Sequence, residues 1–243
     1  MLSGQHDSAR DSDIALTRVT VRHPTAAGEV TALDDISLET CAHNLAVIGL
    51  NGSGKSTFAR LLNGLRTPTQ GSVSVGGLDT VTDVRMLRRK VGFVFTNPDA
   101  QIVMPTVAED LAFSLRGRGL STGQIAERVA AVLAENGLAG HADLPAHDLS
   151  GGQKQMLAIQ SVLVAEPSLI VADEPTTLLD ARNARRIADL LLGLPQQCVI
   201  VTHDLELAAR CDEALLFDNA RLITQGNPRD VIDRYLSEIV ARP

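Results

Sequence analysis

Apolar positions follow two periods along the chain, and the changes between them mark its elements. Ile14 to Val21 and Val30 to Leu38 have the make-up of strands, and the unbroken run Leu45-Ala46-Val47-Ile48 reads as a strand leading into a Gly-rich turn. Past that turn the period becomes helical: Phe58, Leu61, Leu62 and Leu65 share one face over Thr57 to Leu65, with Pro68 and Gly71 marking the exit. Val73-Ser74-Val75 and Val91 to Phe95 are further strands, with an Arg-rich helix between them.

From about Thr106 to Asp148 the pattern is wholly helical, with Val107, Leu111 and Leu115 on one stripe and Ile125, Val129, Val132 and Leu133 on another. It predicts a helical subdomain inserted at about 106–150. Ser121 followed by Gln124 matches a capping box, and Gly137 is placed to end that helix. Alternation then returns: Gly152 to Ala165 helical, Leu169 to Ala172 a buried strand, Ala181 to Leu192 helical, Cys198 to Val201 a strand. That succession predicts an α/β fold with a largely parallel core sheet. Asn227-Pro228 supplies the N-cap and first position of a last amphipathic helix, about 228–240, through Val231, Ile232, Leu236 and Ile239. Met1 to Asp13, polar and rich in Ser and Asp, reads as a flexible tail.

Composition narrows the function classes. The 243 residues suffice for one large domain, or one carrying an inserted subdomain, and 44% hydrophobic with 21% charged residues is an ordinary globular balance. Acidic residues outnumber basic ones 29 to 22, so nothing supports a general grip on a nucleic-acid backbone, and aromatics at 2% with no Trp offer few platforms for stacking bases. Three cysteines, Cys41, Cys198 and Cys211, without CxxC spacing read as reduced core residues of a cytosolic protein. No apolar stretch reaches the roughly 20 residues that span a bilayer, so any membrane role is expected to come through a partner.

The chemistry lies at the turns. Gly49-Leu50-Asn51-Gly52-Ser53-Gly54-Lys55-Ser56-Thr57 matches the phosphate-binding P-loop in its context of strand, turn and helix. Its glycines let backbone N–H groups and a helix N-terminus face phosphates, Lys55 reaches the β- and γ-phosphates, and the Ser56 hydroxyl ligates Mg²⁺. Asp173-Glu174 closes the buried strand at the carboxyl edge of the sheet, where α/β proteins bind ligands. Asp173 suits the metal, and Glu174 suits polarising an attacking water.

Leu149-Ser150-Gly151-Gly152-Gln153 resembles the signature motif of ATP-binding-cassette ATPases, and Thr202-His203-Asp204 resembles the switch histidine of that family. Leu179-Asp180 resembles the end of the loop that signals between its two sites, with Thr177-Leu178 in place of the commoner small pair. The resemblance extends over nearly the whole chain from Ile14. It implies a P-loop NTPase with a RecA-like parallel-sheet core, an N-terminal antiparallel β subdomain and an inserted helical subdomain. It also implies ATP and Mg²⁺ at the site and a head-to-tail dimer of identical or related chains. In such a dimer Ser150, Gly151, Gly152 and Gln153 close over the nucleotide held by the partner, and His203 contacts the γ-phosphate.

Two further departures from that pattern bear on the site itself. In Val94-Phe95-Thr96-Asn97-Pro98 the family's metal- and water-contacting glutamine is replaced by Thr96, whose hydroxyl can still reach metal-bound water, and Gln101 is a possible stand-in. At Val21-Arg22-His23-Pro24 relatives often carry an aromatic residue that stacks on adenine, a task left here to His23. The segment Phe93 to Phe113 resembles energy-coupling-factor vitamin and metal-ion importers, and within them the ATPase of biotin importers. The resemblance implies a motor at the cytoplasmic face of the cell membrane, coupled to a transmembrane subunit and a substrate-binding membrane subunit. The alternatives are a soluble cassette ATPase without a transport role and a regulatory ATP-binding subunit with weak hydrolysis.

Overall fold

Strands that are apolar without interruption should be covered on both faces, and the computed structural model places them so. It describes residues 14–25, 28–136 and 138–241. The tail expected over Met1 to Asp13, the helix stop expected at Gly137 and the final two residues of the expected domain lie outside the described residues. Along the chain run β1 (Ile14–Thr25), β2 (Gly28–Thr40), β3 (Asn44–Gly49), α1 (Lys55–Leu62), β4 (Gln70–Val75), β5 (Leu78–Asp79), α2 (Val84–Lys90), β6 (Val91–Val94), α3 (Val107–Leu115), α4 (Thr122–Glu135), α5 (Gly151–Leu163), β7 (Leu169–Asp173), α6 (Ala181–Leu192), β8 (Gln197–Val201), α7 (Leu205–Ala208), β9 (Glu213–Asp218), β10 (Arg221–Gly226) and α8 (Pro228–Arg234). A π-helical turn, Tyr235–Val240, continues α8.

Two sheets result. An antiparallel one has the order β2-β1-β4-β5; the larger has the order β10-β9-β3-β8-β7-β6 and is parallel except for the β9–β10 hairpin. Alternate residues of its strands divide into two layers. Leu45, Val47, Val171, Val199, Val201 and Phe217 pack with Phe58, Leu61 and Leu62 of α1 and with the antiparallel sheet. Ala46, Ile48, Ile170, Ala172, Ile200 and Leu216 face Met156 and Ile159 of α5, Ile187 and Leu191 of α6, and Val231 and Ile232 of α8. An eight-residue helix such as α1 is marginal alone; burial at about 1.5–3 kcal/mol per large side chain holds it.

The helical insertion has its own core of Val107, Leu111, Leu115, Val129 and Leu133, closed by Leu157 and Val164 from the outer side of α5. Thus α5 belongs both to one sheet layer and to the core of the insertion, and its position against the sheet sets that of the insertion. Gly92 of β6 makes this contact possible: a Cβ there would lie 2.2 Å from Val162 Cγ1 and 3.1 Å from Pro167 Cγ. Gly92→Ala is therefore expected to push α5 off the sheet and destabilise the fold by about 1–3 kcal/mol, read as a lowered denaturation midpoint.

Several expectations are adjusted. The 106–148 segment is α3 and α4 followed by two 3₁₀ turns, Ala139–His141 and Ala146–Asp148, rather than wholly helical. The capping box of Ser121 and Gln124 forms as expected, and Thr106 with Glu109 makes a second at α3. Helix α1 stops at Leu62, so Leu65 lies beyond it and is exposed. The wider π turn keeps Ile239 inside while Leu236 is exposed. Cys198 and Cys211 are core residues, their thiols pushed up to about 12 by burial, whereas Cys41 is exposed.

Candidate nucleotide-binding and hydrolysis site

The P-loop leaves β3 at Gly49, whose φ of +144° is open to glycine and where a Cβ would lie 2.1 Å from Phe217 O of β9. It ends at Gly54, φ +109°, where a Cβ would meet Ala32 O of β2 at 2.6 Å. Strand pairing on one side and the β2 backbone on the other thus dictate the two outer glycines. Gly54 caps α1 without a side-chain bond, so the first-turn N–H groups stay available to an anion. Between them Leu50 and Asn51 stand exposed, Gly52 turns at φ +79°, Ser53 is buried, and Ser56 and Thr57 start the helix half-buried.

Lys55 is 6% exposed and donates to Gly49 O at 2.8 Å and Leu50 O at 2.9 Å, so its ammonium is held over the loop. Burial lowers its pKa, while the carboxylates of Glu174 and Asp173 work the other way and favour the charged form. Ser56 Oγ donates to Asp173 Oδ1 at 3.0 Å, and Arg60, one turn further along α1, brings Nη2 within 4.0 Å of Asp173 Oδ2. Burial raises the Asp173 pKa, opposed by the Ser56 bond and the Arg60 charge. These are hard oxygen donors of the kind Mg²⁺ takes. No group of three or more metal-ligating side chains occurs among the described residues, so a cation here would draw its other ligands from water and phosphate.

Glu174 follows β7 in a left-handed conformation, φ +55°, with its N–H bonded to Val201 O at 2.9 Å. A non-glycine residue held there is strained, and such strain gathers at functional sites. The turn carries the carboxylate across the end of β8 to His203: Nδ1 lies 2.7 Å from Glu174 Oε2 and donates to it, since a carboxylate only accepts. Thr177 Oγ1 donates to the same oxygen at 2.9 Å and His203 N at 3.4 Å. The Glu174 side chain is 14% exposed and that of His203 60%, so the pair opens to solvent through the imidazole.

Two hollows meet at Asn51 and Glu174. One, of about 270 Å³, lies between Gly52, Lys55, Ser56 and the tip of β2 at Val30 and Ala32. The other, of about 400 Å³, is bounded by Gly49, Leu50, Thr177, His203 and Tyr235. Two predicted residues stand apart from them. His23 pairs with Val30 across the β1–β2 hairpin and lines neither hollow, whereas Val30, 52% exposed, lines the first. Ser150, Gly151, Gly152 and Gln153 also line neither: Ser150 and Gln153 form a capping box at the start of α5, and Gly152 packs where a Cβ would meet Asn183 of α6 at 2.6 Å.

Thr96 donates its hydroxyl to the backbone carbonyl of Asp173 at 2.8 Å, tying the end of β6 to the end of β7. The Gln101 side chain is engaged elsewhere than at Ser56 and Asp173: Oε1 accepts from Phe95 N at 3.0 Å and Nε2 donates to Ala158 O of α5 at 2.8 Å. Gln101 therefore joins β6 to α5 and does not stand in for the missing glutamine. Asp180 caps α6 by accepting from Asn183 N at 2.9 Å, and this bond lowers its pKa.

Arg60 and Tyr235 carry no mark in the sequence motifs, and Thr177, noted there only in the signalling loop, is not legible as the partner of Glu174. Arg60 lies one turn after Ser56 on α1 and so faces the same Asp173, and Thr177 lies three residues after Glu174 in the turn that folds back onto its carboxylate. Tyr235, the chain's single tyrosine, carries no local signal.

Residues 33–177 match the family model described as ABC transporter. The chain belongs to that family. Among relatives of this cassette, the biotin transport ATP-binding protein BioM of Rhizobium etli is 44% identical over 208 residues, covering 86% of this chain and 92% of its own. The energy-coupling factor transporter ATP-binding protein EcfA1 of Bacillus licheniformis is 40% identical over 227 residues, covering 90% and 79%. Among solved structures, cbiO1 of Clostridium perfringens, part of the ABC transporter complex cbiONQ, superposes with a TM-score of 0.79 at 30% identity, covering 94% of this chain and 96% of that one. The dimeric, post-hydrolysis cassette MJ0796 bound to ADP and Pi gives 0.77 at 29%, covering 89% and 99%. The cassette is an ATPase of a transporter. Among its described residues no helix is long and apolar enough to cross a membrane.

Proposed function

We propose that this cassette is the ATP-hydrolysing motor of an energy-coupling-factor-type importer, acting at the cytoplasmic face of the cell membrane. It works as a head-to-tail dimer on a transmembrane coupling subunit and a substrate-binding membrane subunit. The cargo is a vitamin, biotin first, or a metal ion. The relatives named for biotin transport and energy coupling support the importer class. The observation that carries the catalytic reading is the 2.7 Å pair of His203 and Glu174 at the rim of a cradle holding Lys55, Ser56 and Asp173.

In this reading Lys55 leaves the carbonyls of Gly49 and Leu50 for the β- and γ-phosphate oxygens, and the N–H groups of the loop and α1 take the others. Ser56 and Asp173 would hold Mg²⁺, which when bound would supply positive charge against the phosphates. Glu174 accepts a hydrogen bond from the attacking water and orients it towards the γ-phosphate, while His203 and Thr177 fix the carboxylate by its Oε2. Val30 offers the adenine an exposed apolar wall, with His23 beside it as its cross-strand partner. Ser150 to Gln153 line neither hollow of their own chain, which supports their closing over the nucleotide of the partner; the dimeric cassette among the structural neighbours supports it too.

Co-purification in detergent from native cells tests the motor assignment: a membrane protein is expected with the cassette, together with ATP-dependent biotin uptake, and recovery of the cassette without any membrane protein would count against it. The bond from Thr96 to Asp173 favours a second reading, a regulatory ATP-binding subunit with weak hydrolysis. Thr96→Gln separates the two. It releases the Asp173 carbonyl and supplies an amide long enough to reach metal-bound water, so turnover is expected to rise roughly threefold in steady-state phosphate release. Unchanged ATPase and transport rates would show that this position has no part in coupling.

A further inference from the structure

The cleft that holds Glu174 and His203 has one wall from outside the P-loop core, and that wall is Tyr235. The residue lies beyond the 33–177 span matched by the family model. It begins the π-helical turn that follows α8, a wider and rarer winding than the α-helix, frequent at functional sites. The turn is tied down rather than frayed. Arg234 Nε bonds Glu238 Oε2 at 3.0 Å and its Nη1 reaches Ile223 O of β10 at 3.4 Å, while Ser237 Oγ bonds Asp233 O at 2.8 Å. The Tyr235 ring packs against the core layer beneath α6 and α8. Burial raises the phenol pKa, so its edge stays neutral in a site rich in charge.

An aromatic ring that lines a cleft with a carboxylate and an imidazole need not take part in proton transfer to exclude water. Removal of bulk water strengthens every electrostatic contact in such a cleft and leaves fewer molecules competing for the carboxylate. His203 is the more open member of the pair, its side chain 60% exposed, and Tyr235 borders the same cleft.

We infer that Tyr235 is a positioning residue for ATP hydrolysis: its ring, not its hydroxyl, closes the cleft beside Glu174 and His203 and restricts the water that reaches the carboxylate. This rests on the reading of Glu174 as the group that orients the attacking water. The C-terminal turn thereby becomes part of the hydrolysis site.

The sequence provides a direct probe, because Tyr235 is the chain's single tyrosine and Trp is absent. Tyrosine emission of the full-length cassette therefore reports this cleft. Adding Mg²⁺ with a non-hydrolysable ATP analogue, its binding measured in parallel by calorimetry, is expected to lower acrylamide quenching of that emission at least about twofold as the cleft is covered. In steady state Tyr235→Phe is expected to keep kcat within about twofold, whereas Tyr235→Leu, which preserves apolar bulk but not the ring, is expected to lower kcat roughly tenfold with little change in KM for ATP. A merely structural tyrosine would lower the melting temperature of Tyr235→Leu without moving kcat per folded molecule or the quenching. Analogue binding with unchanged quenching, or wild-type kcat in Tyr235→Leu, would overturn the assignment. Absence of analogue binding would instead bring down the nucleotide reading, and this proposal with it.

Discussion

Glu174→Gln is expected to stop turnover while ATP remains bound, with phosphate release falling by about 10²–10⁴-fold. The amide has the size of the carboxylate, and its oxygen can still accept from His203 Nδ1 and Thr177 Oγ1, so the strained turn at φ +55° should survive. What disappears is the negative charge that orients and polarises the attacking water. The cradle of Lys55, Ser56 and Asp173 is untouched, and the cassette should therefore accumulate as an ATP-loaded dimer. Size-exclusion chromatography with and without Mg-ATP, alongside a phosphate-release assay, checks both halves. Hydrolysis at more than about a tenth of the wild-type rate would remove Glu174 from its assigned role.

Lys55→Ala should act on the other side of the cycle. The ammonium is the cradle's one buried cation, and charge-assisted contacts of this kind contribute about 1.5–3 kcal/mol each, so affinity for ATP should fall by roughly 10–150-fold in calorimetry. The fold need not suffer. Burial already disfavours the charged lysine, and its two bonds are to backbone carbonyls of the loop rather than to another charged group. Thermal unfolding should show a midpoint close to wild type. A large drop would mean that Lys55 holds the loop itself, and that weakened ATP binding follows from a disordered loop rather than a lost charge.

Most of the fold could be read from one dimension because the signals are local. Strands β3, β7 and β8 are covered on both faces, so their apolar runs are unbroken. The span of α6 agrees with the predicted Ala181 to Leu192, with Asp180 as its cap. Readings weakened where an element depends on distant partners. The β9–β10 hairpin went unread, although Glu213–Asp218 is almost fully buried, since its placement beside β3 is a long-range pairing. The π turn at Tyr235–Val240 has no propensity signature, and the helical period continues through Leu236 as though nothing changed.

For the site, the division follows the same physics. Chain order alone pointed to a strand, a glycine turn, a lysine and a hydroxyl as a phosphate cradle, and to Asp173-Glu174 and His203 as the ends of two successive buried strands, because each motif is contiguous and its chemistry is written in residue type; that β7 and β8 pair was decided by packing. Tertiary structure alone decided which atoms meet. It set Glu174 Oε2 against His203 Nδ1, sent the Thr96 hydroxyl to the Asp173 carbonyl, turned Gln101 onto α5, left His23 out of both hollows and brought Tyr235 to the cleft. Side-chain direction depends on the backbone turn beneath it and on the surface opposite, and both are products of packing between residues far apart in sequence.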